Sequence, residues 1–201
     1  MTKLYTSYKN QYLEIWKIND KAKEIKSHYY LHEKWCGGRQ VALLPFRFGK
    51  NRRPEYLLIK EMVPAWRTDL TCMAAIIFGV DFYDTNNWTG REELFAKTGF
   101  YASHGRRFKF LGSCHGSRRT DTQYDLYAFN VHGLIQELAP GDGTPLGDMA
   151  TLHWMVDSTI GMAVDPLVYI LHYRTARYIR RLARPRATGN PSRVLAALHA
   201  P

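Results

Sequence analysis

The sequence predicts an α+β fold, a layered domain built on a mixed sheet. Two observations carry this. Short apolar runs rich in β-branched and aromatic residues recur along most of the chain, and only two segments carry helical spacing. The order is strands, one helix, strands, then a final helix, rather than a regular strand–helix alternation. With 45% hydrophobic and 23% charged residues in 201 positions, the chain can bury a real core, which excludes wholesale disorder and collagen-like repetition.

Residues 11–18 (QYLEIWKI) partly alternate and are predicted as a strand. Residues 27–34 (SHYYLHEK), rich in aromatics, pair with them as an N-terminal β-hairpin. Cys36-Gly37-Gly38 is a turn. Residues 40–46 form a buried strand and 56–60 a second, joined by the polar loop FGKNRRP. Residues 72–78 (CMAAIIF) are a further apolar run. A helix is predicted over 87–97, capped by Asn86 or Asn87, with Trp88, Leu94 and Phe95 on its apolar side. Gly90 weakens its first turn and Gly99 ends it. Strands follow at 107–111 and 124–131, then a Pro- and Gly-rich loop at 139–145 and a short strand at 152–156. Asp165-Pro166 opens the last helix with a capping aspartate and a proline at the first helical position. Leu167, Ile170, Leu171, Tyr178 and Leu182 recur along it at roughly helical spacing. The predicted organisation is an N-terminal strand and extension over 1–26, one domain over 27–182 and a loose basic tail over 183–201.

Charge is unevenly spread. The chain has 28 Lys and Arg against 18 Asp and Glu, and no acid follows Asp165. Seven arginines do: Arg174, Arg177, Arg180, Arg181, Arg184, Arg186 and Arg193. A basic arm over 174–193 attracts polyanions such as nucleic acid, an anionic membrane or an acidic partner; as a bare solvated helix face it only aids solubility. No apolar run approaches the ~20 residues of a membrane span. The start, MTKLYTSYKNQYLEIWK, lacks the apolar stretch of a secretion signal, so a soluble, cytoplasmic protein is expected. Cys36, Cys72 and Cys114 are widely spaced and read as small buried thiols rather than a disulfide framework or zinc site.

The segment Phe78-Gly79-Val80-Asp81-Phe82-Tyr83-Asp84, followed by Arg91-Glu92-Glu93-Leu94-Phe95-Ala96-Lys97-Thr98-Gly99-Phe100, resembles the Nudix box, G-x5-E-x7-R-E-U-x-E-E-x-G-U with U a bulky apolar residue. With Gly99 on the last glycine no gap is needed. Phe78 falls on the first glycine, Asp84 on the first glutamate, Glu92 on the arginine and Glu93 on the glutamate after it. Ala96 and Lys97 fall on the paired glutamates, and Thr98-Gly99-Phe100 matches the ending. YLLIKEMVPAWRTD before the box, the Ser117–Asp121 loop after it, and the closing GDG, LHWM and final helix resemble the ADP-ribose pyrophosphatase branch. The resemblance implies a Nudix-like α/β/α layered domain with a mixed sheet, an N-terminal β-hairpin and a C-terminal basic helix.

It also implies hydrolysis of a nucleoside diphosphate linked to another group, ADP-ribose-like, with Mg²⁺ or Mn²⁺ held by box glutamates on one helix. Glu93, Glu92 and Asp84 are then the catalytic candidates and Glu93 with Asp121 the metal candidates. Arg67, Lys97, Arg118 and Arg119 are the candidates for binding the diphosphate, because arginine forks match phosphate oxygens. The departures fall on the chemistry. Residues at i, i+3 and i+4 share a helix face, and here that face is Glu93, Ala96 and Lys97. One carboxylate of three remains, beside an ammonium that repels a hard cation. Glu93 is a residual ligand or base, or simply the partner of Lys97 in an ion pair; Lys97 is that partner or a fixed cation in the metal's place. The alternative to a divergent hydrolase is therefore an inactive Nudix-fold protein that binds a nucleotide, nucleic acid or a protein partner. The N-terminal hairpin could support a homodimer.

Overall fold

A computed structural model describes residues 3–9, 13–20, 25–61, 72–79, 90–102, 105–117, 120–141, 143 and 149–183. Its N-terminal part is an antiparallel sheet of β1 (Lys3–Lys9), β2 (Leu13–Asp20) and β3 (Ile25–Glu33) in that order. The expected hairpin is β2–β3, with Trp16 opposite Tyr30. β1 adds an outer strand that the sequence reading does not contain.

The second sheet holds β4 (Arg39–Phe48), β5 (Pro54–Glu61), β6 (Cys72–Ala74), β7 (Ile76–Gly79), β8 (Phe108–His115), β9 (Gln123–Asn130) and β10 (Thr151–Val156). Its order is β10-β5-β4-β9-β8, with β6 on β5 and β7 on β4. β4 and β9 are parallel and the other pairs antiparallel, so the sheet is mixed. β4 lies at its centre, and its near-continuous apolar run is buried on both faces, as a doubly covered strand requires. Val41 and Leu43 pack on one face with Leu94 and Phe100, from α1 (Gly90–Thr98) and its exit. Ala42, Leu44 and Phe46 pack on the other with Val168, Leu171 and Ile179 of α2 (Pro166–Ala183). Helix, sheet and helix thus form the three layers.

Two further elements differ from the sequence reading, and a distant side chain holds each. The apolar run 72–78 is two strands on two partners, because the chain bends at Ala75, whose amide donates to Asp165 Oδ2 at 2.9 Å. The strand expected over 107–111 continues to His115 through a bulge between Phe110 and Ser113. Gly112, with φ +95°, makes the bulge, and Arg174 Nη1 caps the Leu111 and Ser113 carbonyls at 3.1 and 3.4 Å. The last helix begins as read: Asp165 Oδ1 accepts the Leu167 amide at 2.9 Å. Among the described residues no helix is long and apolar enough to cross a membrane.

Candidate functional site

α1 is set by its C-terminal end. Gly99 takes φ +72°, and its amide returns to Phe95 O at 2.8 Å. Its carbonyl accepts from Glu137 at 2.9 Å, while Ala96 O accepts from Gly141 at 3.1 Å, which ties the helix end to the loop after β9. A Cβ at Gly99 would lie 2.1 Å from Glu137 O, so glycine is required there for space as well as for conformation. The expected caps, Asn86 and Asn87, lie outside the described residues.

This docking lays Glu93 and Lys97 over β7. Lys97 Nζ donates to Ile77 O at 2.9 Å, stands 3.4 Å from Glu93 Oε1 and sits 5.4 Å from the centre of the Phe78 ring. The two side chains are 21% and 38% exposed, so the pair stands at the rim of the layer rather than in the core. Glu92, one residue earlier, is exposed on the outside of the helix. Asp121 lies beside Gly38 at the start of β4: its Oδ2 meets His32 Nδ1 of β3 at 2.6 Å, and its amide donates to Leu31 O at 3.2 Å. Arg67, Asp84, Arg118 and Arg119 lie outside the described residues.

The structure adds residues that the sequence reading does not single out. Across the sheet, Phe78, Val41, Asp125 and Ser113 stand in one register row, so Asp125 shares the α1 face with Phe78. Asp125 accepts from Arg39 Nη2 at 2.8 Å and from Ser113 Oγ at 2.6 Å. A carboxylate inside the apolar strand QYDLYAFN was the visible signal; its partner 86 positions away was not. On the opposite face, buried Gln40 donates to Glu33 Oε2 at 2.5 Å beside Cys36. Burial pushes the Cys36 thiol up and the Tyr124 hydroxyl to about 12, helped in both by the Glu33 charge. Both groups therefore stay protonated at neutral pH.

Among the described residues of this α1 face, the fit to a divalent cation is poor. Mg²⁺ and Mn²⁺ want a set of oxygen ligands. On the i, i+3, i+4 face of α1 there is one carboxylate, a methyl group at Ala96 and an ammonium that already engages Glu93 and the Ile77 carbonyl. Among the described residues, no group of three His, Cys, Asp or Glu side chains is arranged to hold a metal ion.

A mixed sheet between two helices, with a short helix ending in Thr98-Gly99-Phe100 against its central strands, is a Nudix-like fold. The structure is similar to that of an ADP compounds hydrolase, with TM-score 0.65 and 10% sequence identity, covering 92% of this chain and 96% of that one. It is also similar to the NUDIX domain of Shewanella oneidensis NrtR in complex with ADP-ribose, with TM-score 0.50 and 11% identity, covering 70% and 87% of the two chains. No family model matches the sequence, and no curated protein matches it.

Proposed function

We propose that this protein binds an ADP-ribose-like nucleoside diphosphate over α1 and β7 without a divalent metal, with Lys97 as its built-in cation, and that it does not hydrolyse the ligand at a useful rate. The carrying observation is the placement of Lys97 Nζ, 2.9 Å from Ile77 O and 3.4 Å from Glu93 Oε1. A cation is supplied there by the chain itself. The two folds it resembles, one of them in complex with ADP-ribose, support the ligand class. Arg39, exposed at the same end of the sheet, offers a second positive group for a phosphate oxygen.

The chemistry follows from the charge. A fixed ammonium attracts phosphate oxygens, but it does not lower the pKa of a bound water as a divalent ion does. Turnover therefore lacks its activated nucleophile, while binding retains its electrostatics. The test is calorimetric titration with ADP-ribose in EDTA and in Mg²⁺, for the parent and Lys97→Met. Binding that is equal in the two buffers and weakened by Lys97→Met is the expected result. Mg²⁺-dependent hydrolysis by the unmodified protein, abolished by Glu93→Gln, would overturn it and show that acids outside this face, Asp84 first, complete a metal site.

A further inference from the structure

The end of the large sheet remote from Gly79 gathers positive charge from three separate parts of the chain. β4 and β9 run parallel and finish together, with Phe46 opposite Asn130; β5 begins there at Pro54, opposite Phe48, and β10 ends there at Val156, opposite Glu55. The loop between β4 and β5 carries Lys50, Arg52 and Arg53, all exposed. The short turn before β8 carries exposed Arg106, and its neighbour Arg107 is anchored at this end by the Asn130 and His132 carbonyls at 3.2 and 3.1 Å. α2 starts at Asp165 beside Ala75 and has reached Tyr56 and Asp157 by His172. Its last turn, with exposed Arg180 and Arg181, lies roughly 12 Å further on at 1.5 Å per residue. Arg180 is near enough to the buried Tyr56 hydroxyl to act on it electrostatically.

The acids at this end have partners. Glu55 pairs with Arg47 at 2.8 Å and Asp157 with His172 at 2.7 Å. Between the β4–β5 loop and residues 156–158 lies a cavity of about 870 Å³, with Arg47, Lys50 and Arg53 in its wall. Val156 is the one exposed large apolar side chain in that wall, among the described residues. Ile135 and Leu138, in the loop that leaves β9 at this end, are also exposed, so an anionic membrane is the competing occupant, and phosphatidylserine vesicles are the arm that tests it. Arginine clusters suit phosphates held in a chain, because each planar fork takes a phosphate oxygen pair.

We propose that this pole, formed by the β4–β5 loop, the turn before β8 and the last turn of α2, is a binding surface for the phosphate backbone of nucleic acid. It is larger than the linear arm read from the sequence and differs from it, since Arg174 is spent inside the fold on β8. Arg184, Arg186 and Arg193 come later in the sequence.

The test is fluorescence anisotropy of labelled single-stranded RNA and DNA of about 20 nucleotides, titrated with the full chain between about 50 and 200 mM salt. Two surface variants are compared: Lys50→Gln/Arg52→Asn/Arg53→Gln and Arg180→Gln/Arg181→Gln. Asparagine is used at Arg52 because its φ is +55°. Lys9→Gln/Lys17→Gln on the N-terminal sheet is the charge control. The parent should bind with a steep salt dependence, with the slope of log K against log salt reduced by about 2 in the triple variant and about 1 in the double. The control should leave it unchanged. Anionic phosphatidylserine vesicles and polyglutamate serve as competitors. No binding at low salt, equal slopes for all four proteins, or stronger binding to vesicles or polyglutamate than to the oligonucleotides would overturn the proposal. Ala96→Glu/Lys97→Glu should bind the oligonucleotides as the parent does, so this result stands or falls separately from the nucleotide site.

Discussion

The double substitution Ala96→Glu/Lys97→Glu tests the reading of α1 most directly, because it alters stability and metal response together. In the parent, Lys97 gives a charged hydrogen bond to Ile77 O, a class of contact worth about 1.5–3 kcal/mol. Its ion pair with Glu93 is partly exposed and adds only ~0.3–0.5 kcal/mol. The substitution removes both and sets two new carboxylates beside Glu93 and a carbonyl oxygen, with repulsion of a few tenths of a kcal/mol per pair. Without metal it should therefore cost about 2–4 kcal/mol, a fall in Tm of about 5–15 °C for a chain of this size. The same four oxygen groups now suit Mg²⁺ or Mn²⁺. At roughly 100 times Kd the metal returns about 2.7 kcal/mol, so most of the lost Tm should reappear. Differential scanning fluorimetry in EDTA and in Mn²⁺ reads both effects. If the parent gains as much from Mn²⁺ as the variant, or the variant gains nothing, the assignment of this face is wrong.

Gly99→Ala should destabilise by about 3 kcal/mol in urea unfolding, since it combines an αL penalty with displacement of the Glu137 carbonyl 2.1 Å from the new methyl; a loss below ~1 kcal/mol would mean that the loop after β9 does not pin α1. Burial holds the Asp165 carboxyl above its ordinary value of 3.8, although the Ala75 and Leu167 amides pull it down. The folded state thus retains a proton that the unfolded chain has lost, and this contribution falls as pH rises from about 3.8 through the folded pKa. Asp165→Asn should therefore lose more stability relative to the parent at pH 3.5 than at pH 7, checked by denaturation at both; the reverse trend would refute the sign. Burial raises all three thiols, so Cys36, Cys72 and Cys114 should label slowly with iodoacetamide at pH 8 and rapidly after unfolding. One fast thiol in the native protein would contradict the placement of that residue.

What was legible in the sequence was local. The apolar runs of β4, β5 and β9, the end of α1 at Gly99 and the cap of α2 at Asp165 all follow from neighbours within a turn or a pleat. Glu93 and Lys97 were legible as a pair because i, i+4 spacing fixes their proximity. What was not legible depended on distant partners. The bend that divides CMAAIIF into β6 and β7 is held by a carboxylate 90 positions away, and nothing in those seven residues announces it. Arg174 counted as arm charge in the sequence, yet the bulge at Gly112 exposes two carbonyls that claim it. Asp121 was legible as a loop acid but its partner was not: a bridge between Leu31 and Thr120 brings it against His32. The basic pole was hidden for the same reason. FGKNRRP reads only as a polar loop, RYIRR only as part of a linear arm and GRR as neither, and it is the pairing of β4 with β5 and β9, and of β9 with β8, that brings FGKNRRP and GRR to one end.

On the proposed reading, Ala96 and Lys97 act together as one feature of the face. A helix face bearing three carboxylates over the Ile77 carbonyl is unstable by itself, since each oxygen is a partner for a cation that must come from solution. Lys97 supplies that cation covalently, and Ala96 removes the acid that would otherwise leave the face with surplus negative charge. The face as found holds one positive charge and one negative, with the carbonyl satisfied. α1 can therefore dock on β7 at any metal concentration, and the electrostatics offered to a diphosphate no longer depend on a second ligand. A constant, metal-independent affinity is what the proposed nucleotide-holding role requires, whereas a hydrolase of the proposed alternative kind would need an exchangeable cation on this face.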